Sequence, residues 1–144
     1  MKHLNENGTR IFCMLIDKMG KTEYLKIENE PYMPLSIERI GEAYNNEAGV
    51  FSLSHSYTQN GDLMRDPEVC FIVVDHREGT EPKAGEVQIT PYSFRQDNLG
   101  LFEESMFVRN GVIILCHDNA QHEQTEFADE WLNNIEQQGF LKTL

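Results

Sequence analysis

The spacing of apolar residues changes along this chain. Between Thr9 and Met19, Ile11, Leu15 and Met19 recur every four residues, with Phe12 and Ile16 beside them. That spacing predicts a helix with one broad buried face. Asn7 or Thr9 is placed to cap its start and Gly20 its end. From Val50 to Thr58 the period falls to two. Phe51, Leu53, His55 and Tyr57 alternate with Ser52, Ser54, Ser56 and Thr58, the pattern of a half-buried strand with one polar face. Val69 to Val74 is apolar throughout, as expected of a strand covered on both faces. Asn60-Gly61 lies between these two runs and predicts a tight type I′ hairpin turn. From Asn119 to Gln138 the helical period returns. Phe127, Trp131 and Ile135 follow at four-residue steps, with Ala128 and Leu132 alongside and Gly139 placed to end the helix.

Shorter segments fill the middle. Tyr24–Ile27 and Met33–Ile40 read as strands, the second bounded by Pro31, Pro34 and Gly41, and Asn45, Asn46 and Gly49 mark a turn. Glu86–Arg95 reads as a strand in which Pro91 demands a bulge or an edge. Met106–Val108 and Val112–Cys116 flank a second Asn-Gly pair, Asn110-Gly111. Residues 1–8 are expected to fray, and His76–Gly85 and Gln96–Glu104 read as polar loops. A helix, a run of strands and a closing helix argue an α+β fold. The expected form is a mostly antiparallel curved sheet, with the N-terminal and C-terminal helices packed on one face of a single domain spanning 1–144. Phe51, Leu53, Val69, Phe71, Val73, Phe127 and Trp131 are expected to share its core.

Charge narrows the function classes. Twelve Lys and Arg face twenty-four Asp and Glu, a formal net of −12. Such a chain repels nucleic acid and anionic membranes, so direct phosphate-backbone binding is not expected. A protein partner is expected instead, basic or itself nucleic-acid-binding; plain solubility is the other reading of the charge. Cys13, Cys70 and Cys116 lie in separate apolar runs without a C-x-x-C pair. They read as buried free thiols of a cytoplasmic protein. The N-terminus has no signal-peptide core, and apolar runs such as Val112–Cys116 are too short to span a bilayer.

The densest group of chemistry-bearing residues surrounds the first Asn-Gly turn: His55, Tyr57, Gln59, Asn60, Asp62, Arg65, Asp66 and Glu68. Each has a structural role within reach. Asp62 and Asp66 can cap local backbone donors, Arg65 can fork onto its acidic neighbours, and Pro67 blocks ladder pairing. A metal reading is weak, because the spacing departs from the twelve-residue calcium loop; no metal or cofactor is assigned. His55 falls on the apolar face of its strand, and Ser54 and Ser56 point away from it, so no nucleophile stands beside it for a triad. No phosphate loop, dinucleotide fingerprint or nucleophile elbow occurs. His117 and His122 with Asp118 and Glu123 read as a solvated helix entrance. Glu123, Glu126, Asp129, Glu130 and Glu136 read as the solvated helix face.

The block His55-Ser56-Tyr57-Thr58-Gln59-Asn60-Gly61-Asp62-Leu63-Met64-Arg65-Asp66-Pro67-Glu68 resembles the signature of an uncharacterised bacterial and phage domain family. Met33-Pro34-Leu35, Ile37-Glu38, Phe127-Ala128, Trp131-Leu132 and Gln138-Gly139-Phe140 are similar to its flanking pattern. The resemblance implies an association with mobile genetic elements and carries no catalytic residue. Three readings follow. The leading one is a non-enzymatic interaction domain, accessory to a mobile element, with a contact surface around Gln59, Asn60, Asp62, Arg65 and Asp66, and Tyr92, Arg95 and Gln96 nearby. The second is an acidic mimic of DNA that inhibits a nucleic-acid enzyme. The third is a small hydrolase using His55 and the Asp62–Glu68 carboxylates.

Overall fold

The computed structural model describes residues 1–115 and 117–142. Cys116 lies outside the described residues. The chain runs α1 (Glu6–Met19), β1 (Tyr24–Ile27), β2 (Leu35–Ala43), β3 (Ala48–Gln59), β4 (Asp62–Asp75) and β5 (Val87–Gln96). A 3₁₀ turn (Asp97–Leu99), β6 (Leu101–Glu104), β7 (Met106–Arg109), β8 (Val112–Leu115), α2 (Asp118–Gln137) and a last 3₁₀ turn (Phe140–Lys142) follow. Strands β1 to β6 form one six-stranded sheet in sequence order, and β7 and β8 form a separate two-stranded one. All pairings are antiparallel. The fold is α+β, as the order of periodicities predicts.

Both helices cover the same face. Ile11, Phe12 and Leu15 of α1 and Ala128, Leu132 and Ile135 of α2 share a core with Ile37, Phe51, Leu53, Val69, Phe71 and Val73 of the sheet. Phe12 stands against Phe71, with centroids 4.7 Å apart. The opposite face is covered at one end by the β7–β8 hairpin. There Val50, Cys70, Ile72 and Tyr92 meet Met106, Val108 and Ile113 in a second cluster. This is why Val69–Val74 is apolar at every position: odd residues face the helices and even ones the hairpin.

Three bulges curve the sheet, at Arg39/Gly41, Ser54/Ser56 and Cys70/Phe71. The last one lies opposite Pro91-Tyr92-Ser93, where a proline cannot donate to the ladder. Both Asn-Gly pairs form turns with left-handed backbone, Asn60 at φ 52° and Gly61 at 84°, Asn110 at 52° and Gly111 at 77°. Those angles are the type I′ requirement.

Several expectations are revised. Helix α1 begins at Glu6 and is capped by Asn5, whose Oδ1 accepts from Gly8 N at 2.7 Å. Thr9 is instead buried, its hydroxyl turned to the Leu4 carbonyl. Residues 2–5 are tied down rather than frayed: Leu4 is buried, its N–H donates to Ile89 O, and Lys2 N donates to Gln121 Oε1. The turn before β3 is carried by Tyr44, Asn45 and Asn46 at positive φ, and Gly49 lies within the strand. Gln96–Glu104 is a 3₁₀ turn and an edge strand, not a loop. Phe127 is 38% exposed, at the rim of the core. Asp129 and Glu136 face α1, Asp129 accepting from Asn5 N and Glu136 pairing with Arg10 at 2.8 Å.

Candidate functional site

Strand β3 places His55 among the helices. Its Nδ1 lies 3.1 Å from the Met33 carbonyl oxygen. A carbonyl only accepts, so Nδ1 carries the proton. The ring packs on Trp131 and Phe140. Burial holds its pKa below the usual histidine value, against the opposing pull of the backbone contacts to Met33 and Pro34. His55 is therefore a core residue.

The bulge in β4 decides where the neighbouring charges go. One residue of β3, His55, lies opposite two of β4, Asp66 and Pro67. In an unbroken strand, residues three apart face opposite sides. The extra residue brings Arg65 onto the face of Glu68, opposite the helices. Arg65 Nε lies 3.6 Å from Glu68 Oε2, and Arg95 Nε lies 3.7 Å from Glu68 Oε1. Ser52 Oγ donates to Glu68 Oε2 at 2.6 Å. Glu68 thus sits between two guanidiniums and a hydroxyl. Arg95 also lies over the ring of Phe102, 4.5 Å from its centroid, as a cross-strand pair with β6.

A second set of bonds ties the hairpin to the 3₁₀ turn. Arg65 N donates to Asp97 Oδ2 at 2.9 Å, and Gln96 Nε2 donates to Asp66 Oδ1 at 2.8 Å. The expected roles of Asp66 as a local cap and of Arg65 as a fork onto its short acidic neighbours are replaced by these longer-range partners. Arg65, Asp66, Glu68, Arg95 and Gln96 are brought together. Gln59, Asn60 and Asp62 stand exposed at the hairpin tip, and Tyr57 is half-buried. Tyr92 belongs elsewhere: its ring is buried in the cluster under β7–β8, where burial raises its pKa. The hydrolase grouping is not assembled, because His55 faces the helices, Glu68 the opposite side, and Asp62 solvent.

Two concave surfaces flank this charged cluster. One is a trough of about 370 Å³ on the sheet face away from the helices, lined by Tyr24, Lys26, Ser36, Glu38, Ser52, Ser54, Ser56, Leu63, Arg65 and Glu68, with Ile40 and Cys70 completing its wall. Its hydroxyls stand in register across neighbouring strands, Ser36 beside Ser54 and Tyr24 Oη 3.2 Å from Ser36 Oγ. The other is a groove of about 710 Å³ between β6 and the start of α2, lined by Phe102, Glu103, Glu104, Asp118 and Glu123 together with His117, Asn119 and Ala120. Phe102 is exposed in that lining, and Leu99 and Leu101, just before it in sequence, are exposed as well. Neither surface was singled out in the sequence. The trough was foreshadowed by hydroxyls at every second position from Ser52 to Thr58, and the groove by Leu101-Phe102-Glu103-Glu104.

An open antiparallel sheet with two helices on one face and a hairpin partly covering the other defines an α+β domain with a polar, partly uncovered sheet face. Residues 10–141 match the family described as "Domain of unknown function (DUF6908)", and the chain belongs to it. No curated protein and no solved structure matches the chain. Among the described residues, no helix is long and apolar enough to cross a membrane.

Proposed function

We propose that the protein is a non-enzymatic interaction domain that docks an extended, basic segment of a partner protein in the groove between β6 and α2. The observation that carries this reading is the exposed Phe102 in one lining with four carboxylates, Glu103, Glu104, Asp118 and Glu123, with the exposed Leu99 and Leu101 adjoining it in sequence. Exposed apolar groups rimmed by one sign of charge are the composition of a docking surface. A strand at the edge of a sheet offers backbone groups to an added strand, and β6 is the terminal strand here. The net charge of −12 favours approach of a basic partner. The surface continues through Arg95, Gln96, Arg65 and Asp66 toward Gln59, Asn60 and Asp62.

The resemblance of the 55–68 block supports placing this domain among accessory proteins of bacterial and phage mobile elements. The buried free thiols of Cys13 and Cys70 support a reducing, cytoplasmic setting. The second reading, an acidic mimic of DNA, rests on the same four carboxylates and makes the partner a nucleic-acid enzyme; competition by duplex DNA for the bound partner separates the two.

The test is fluorescence anisotropy with a labelled extended Lys/Arg-rich peptide and a Glu-rich control of equal length. Binding is expected for the basic peptide alone, weakening with salt and falling about tenfold or more in Phe102→Asp or in the double charge reversal Glu103→Lys/Glu123→Lys. Equal binding of both peptides, or unchanged binding by these variants, would overturn the reading.

A further inference from the structure

We propose that the hydroxyl-lined trough on the open sheet face binds a neutral polyhydroxylated small molecule, a sugar or related polyol. Apart from Arg65, its residues differ from those of the docking surface, and the inference does not rest on the reading above. The volume of about 370 Å³ lies within the range of small-ligand sites. Ser54 lines it with a hydroxyl that bonds no other described residue and opens to the trough, so it can exchange a water for a ligand hydroxyl.

Charge selects the ligand class. Both cations of the lining are already engaged, Lys26 by Glu28 and Arg65 by Glu68, each at 3.6 Å, so an anion is not favoured. Glu68 is already engaged by Ser52, Arg65 and Arg95. Glu38 has no ion pair or hydrogen bond among the described residues, so both of its oxygens are free to accept. A carboxylate with two free oxygens suits adjacent hydroxyl donors. Serine hydroxyls donate and accept, as the hydroxyls of a polyol do. Ser36 and Ser54 stand on neighbouring strands, about 4.8 Å apart in the ladder direction. The half-exposed ring of Tyr24 at the rim supplies an apolar face for the C–H side of a sugar ring.

The test is a titration of the whole isotope-labelled protein, followed by amide correlation spectra, with xylose, glucose, galactose, N-acetylglucosamine, maltose, cellobiose and sorbitol. Lysine methyl ester and glucuronate serve as charged controls. At least one neutral ligand is expected to give saturable shifts confined to the strands that carry Lys26, Ser36, Ser52, Ser54 and Ser56. Glu38→Ala is expected to weaken that binding about tenfold or more, and Ser54→Ala to weaken it independently. The variants' own spectra report whether the fold is kept. Absence of saturable shifts across the panel, shifts confined to other surfaces, unchanged affinity in both variants, or tighter binding of a charged control would each overturn the proposal.

Discussion

The imidazole of His55 meets the indole of Trp131 with ring centroids 5.6 Å apart and planes inclined at 63°. Phe140 closes the other side at 5.4 Å. A protonated ring in this setting loses its hydration and gains no carboxylate in direct contact, so burial keeps His55 neutral in the folded state. The unfolded chain takes up its proton near the ordinary histidine value of 6.5. Below that pH the unfolded state binds more protons than the folded one, and stability falls with pH. Melting temperatures measured from about pH 7.5 down to about pH 5 should therefore drop, and His55→Gln should flatten the drop. His3, also lowered by burial, contributes with the same sign, so His3→Gln is the companion variant. A slope unchanged in the double variant would contradict the assignment.

Trp131 itself anchors α2 on the sheet. It is buried, and its Nε1 has no hydrogen-bond partner among the described residues. The ring therefore works through volume and contact. Trp131→Ala should cost about 3–5 kcal/mol, and Trp131→Phe much less, because no hydrogen bond is forfeited. Urea unfolding of the two variants distinguishes this from a polar role, which would penalise both.

The loop after β4 is held by one side chain. The side chain of Arg77 is only 7% exposed, and its Nη2 lies 2.9 Å from both Asp17 of α1 and Asp75 of β4, while Nη1 donates to Thr80 O. The guanidinium serves the helix end, the strand end and the loop at once. Arg77→Ala should destabilise by about 1–2 kcal/mol, through the hydrogen bonds to Asp17, Asp75 and Thr80 that it removes. Arg77→Lys should recover only part of this, because an ammonium cannot reproduce the planar fork. The effect should weaken in part at high salt, because Asp17 and Asp75 remain open to solvent. Chemical denaturation at low and high ionic strength checks both points.

Much of this architecture was legible where local pattern and tertiary role agree. The β3–β4 hairpin carries alternation, an Asn-Gly turn and a doubly covered strand, and each maps onto one face of the sheet. Strand β6 was illegible because four residues reading Leu-Phe-Glu-Glu have no alternation of their own. Their extended form follows from pairing with β5. Phe127 keeps the helical spacing, yet the buried stripe of α2 runs through Ala128, Leu132 and Ile135 and includes the polar Gln121, Gln124 and Thr125. A hydrophobic period cannot reveal those three, which are buried through hydrogen bonds to Lys2 O, Glu103 O and Pro91 O. The Arg65–Glu68–Arg95 cluster was hidden for a different reason. A single bulge reverses the facing of Arg65, and nothing in the residue order states which strand carries the extra residue.

That cluster predicts a contrast between two carboxylates. Glu68→Ala removes the group between Arg65 and Arg95 and leaves a partly buried cationic pair, with an expected loss of about 2 kcal/mol. Asp66→Ala removes only the bond from Gln96 and should cost about 1 kcal/mol. A larger loss from Asp66 than from Glu68, measured by equilibrium unfolding, would contradict the placement.

The thiols give a prediction at the alkaline end. Burial pushes Cys13 and Cys70 up to about 11 from the ordinary thiol value of 9.0. Cys13 sits in the helix-on-sheet core and Cys70 in the second cluster, and neither setting solvates a thiolate. The unfolded chain ionises these thiols near pH 9.0, and the folded chain only near 11. Their contribution to stability is thus complete below the unfolded value and is lost as pH rises toward the folded one. Melting temperatures should fall between about pH 9 and about pH 11, and Cys13→Ala/Cys70→Ala should shed part of that slope. The same burial makes the thiolate scarce and inaccessible in the native state. Cys13, 1% exposed, should react with a chromogenic disulfide reagent only as fast as the protein opens, and promptly in denaturant. Rapid labelling of Cys13 in the folded protein, followed by mass spectrometry of the modified peptide, would show that the helix-on-sheet core opens without global unfolding and would remove the basis of this prediction.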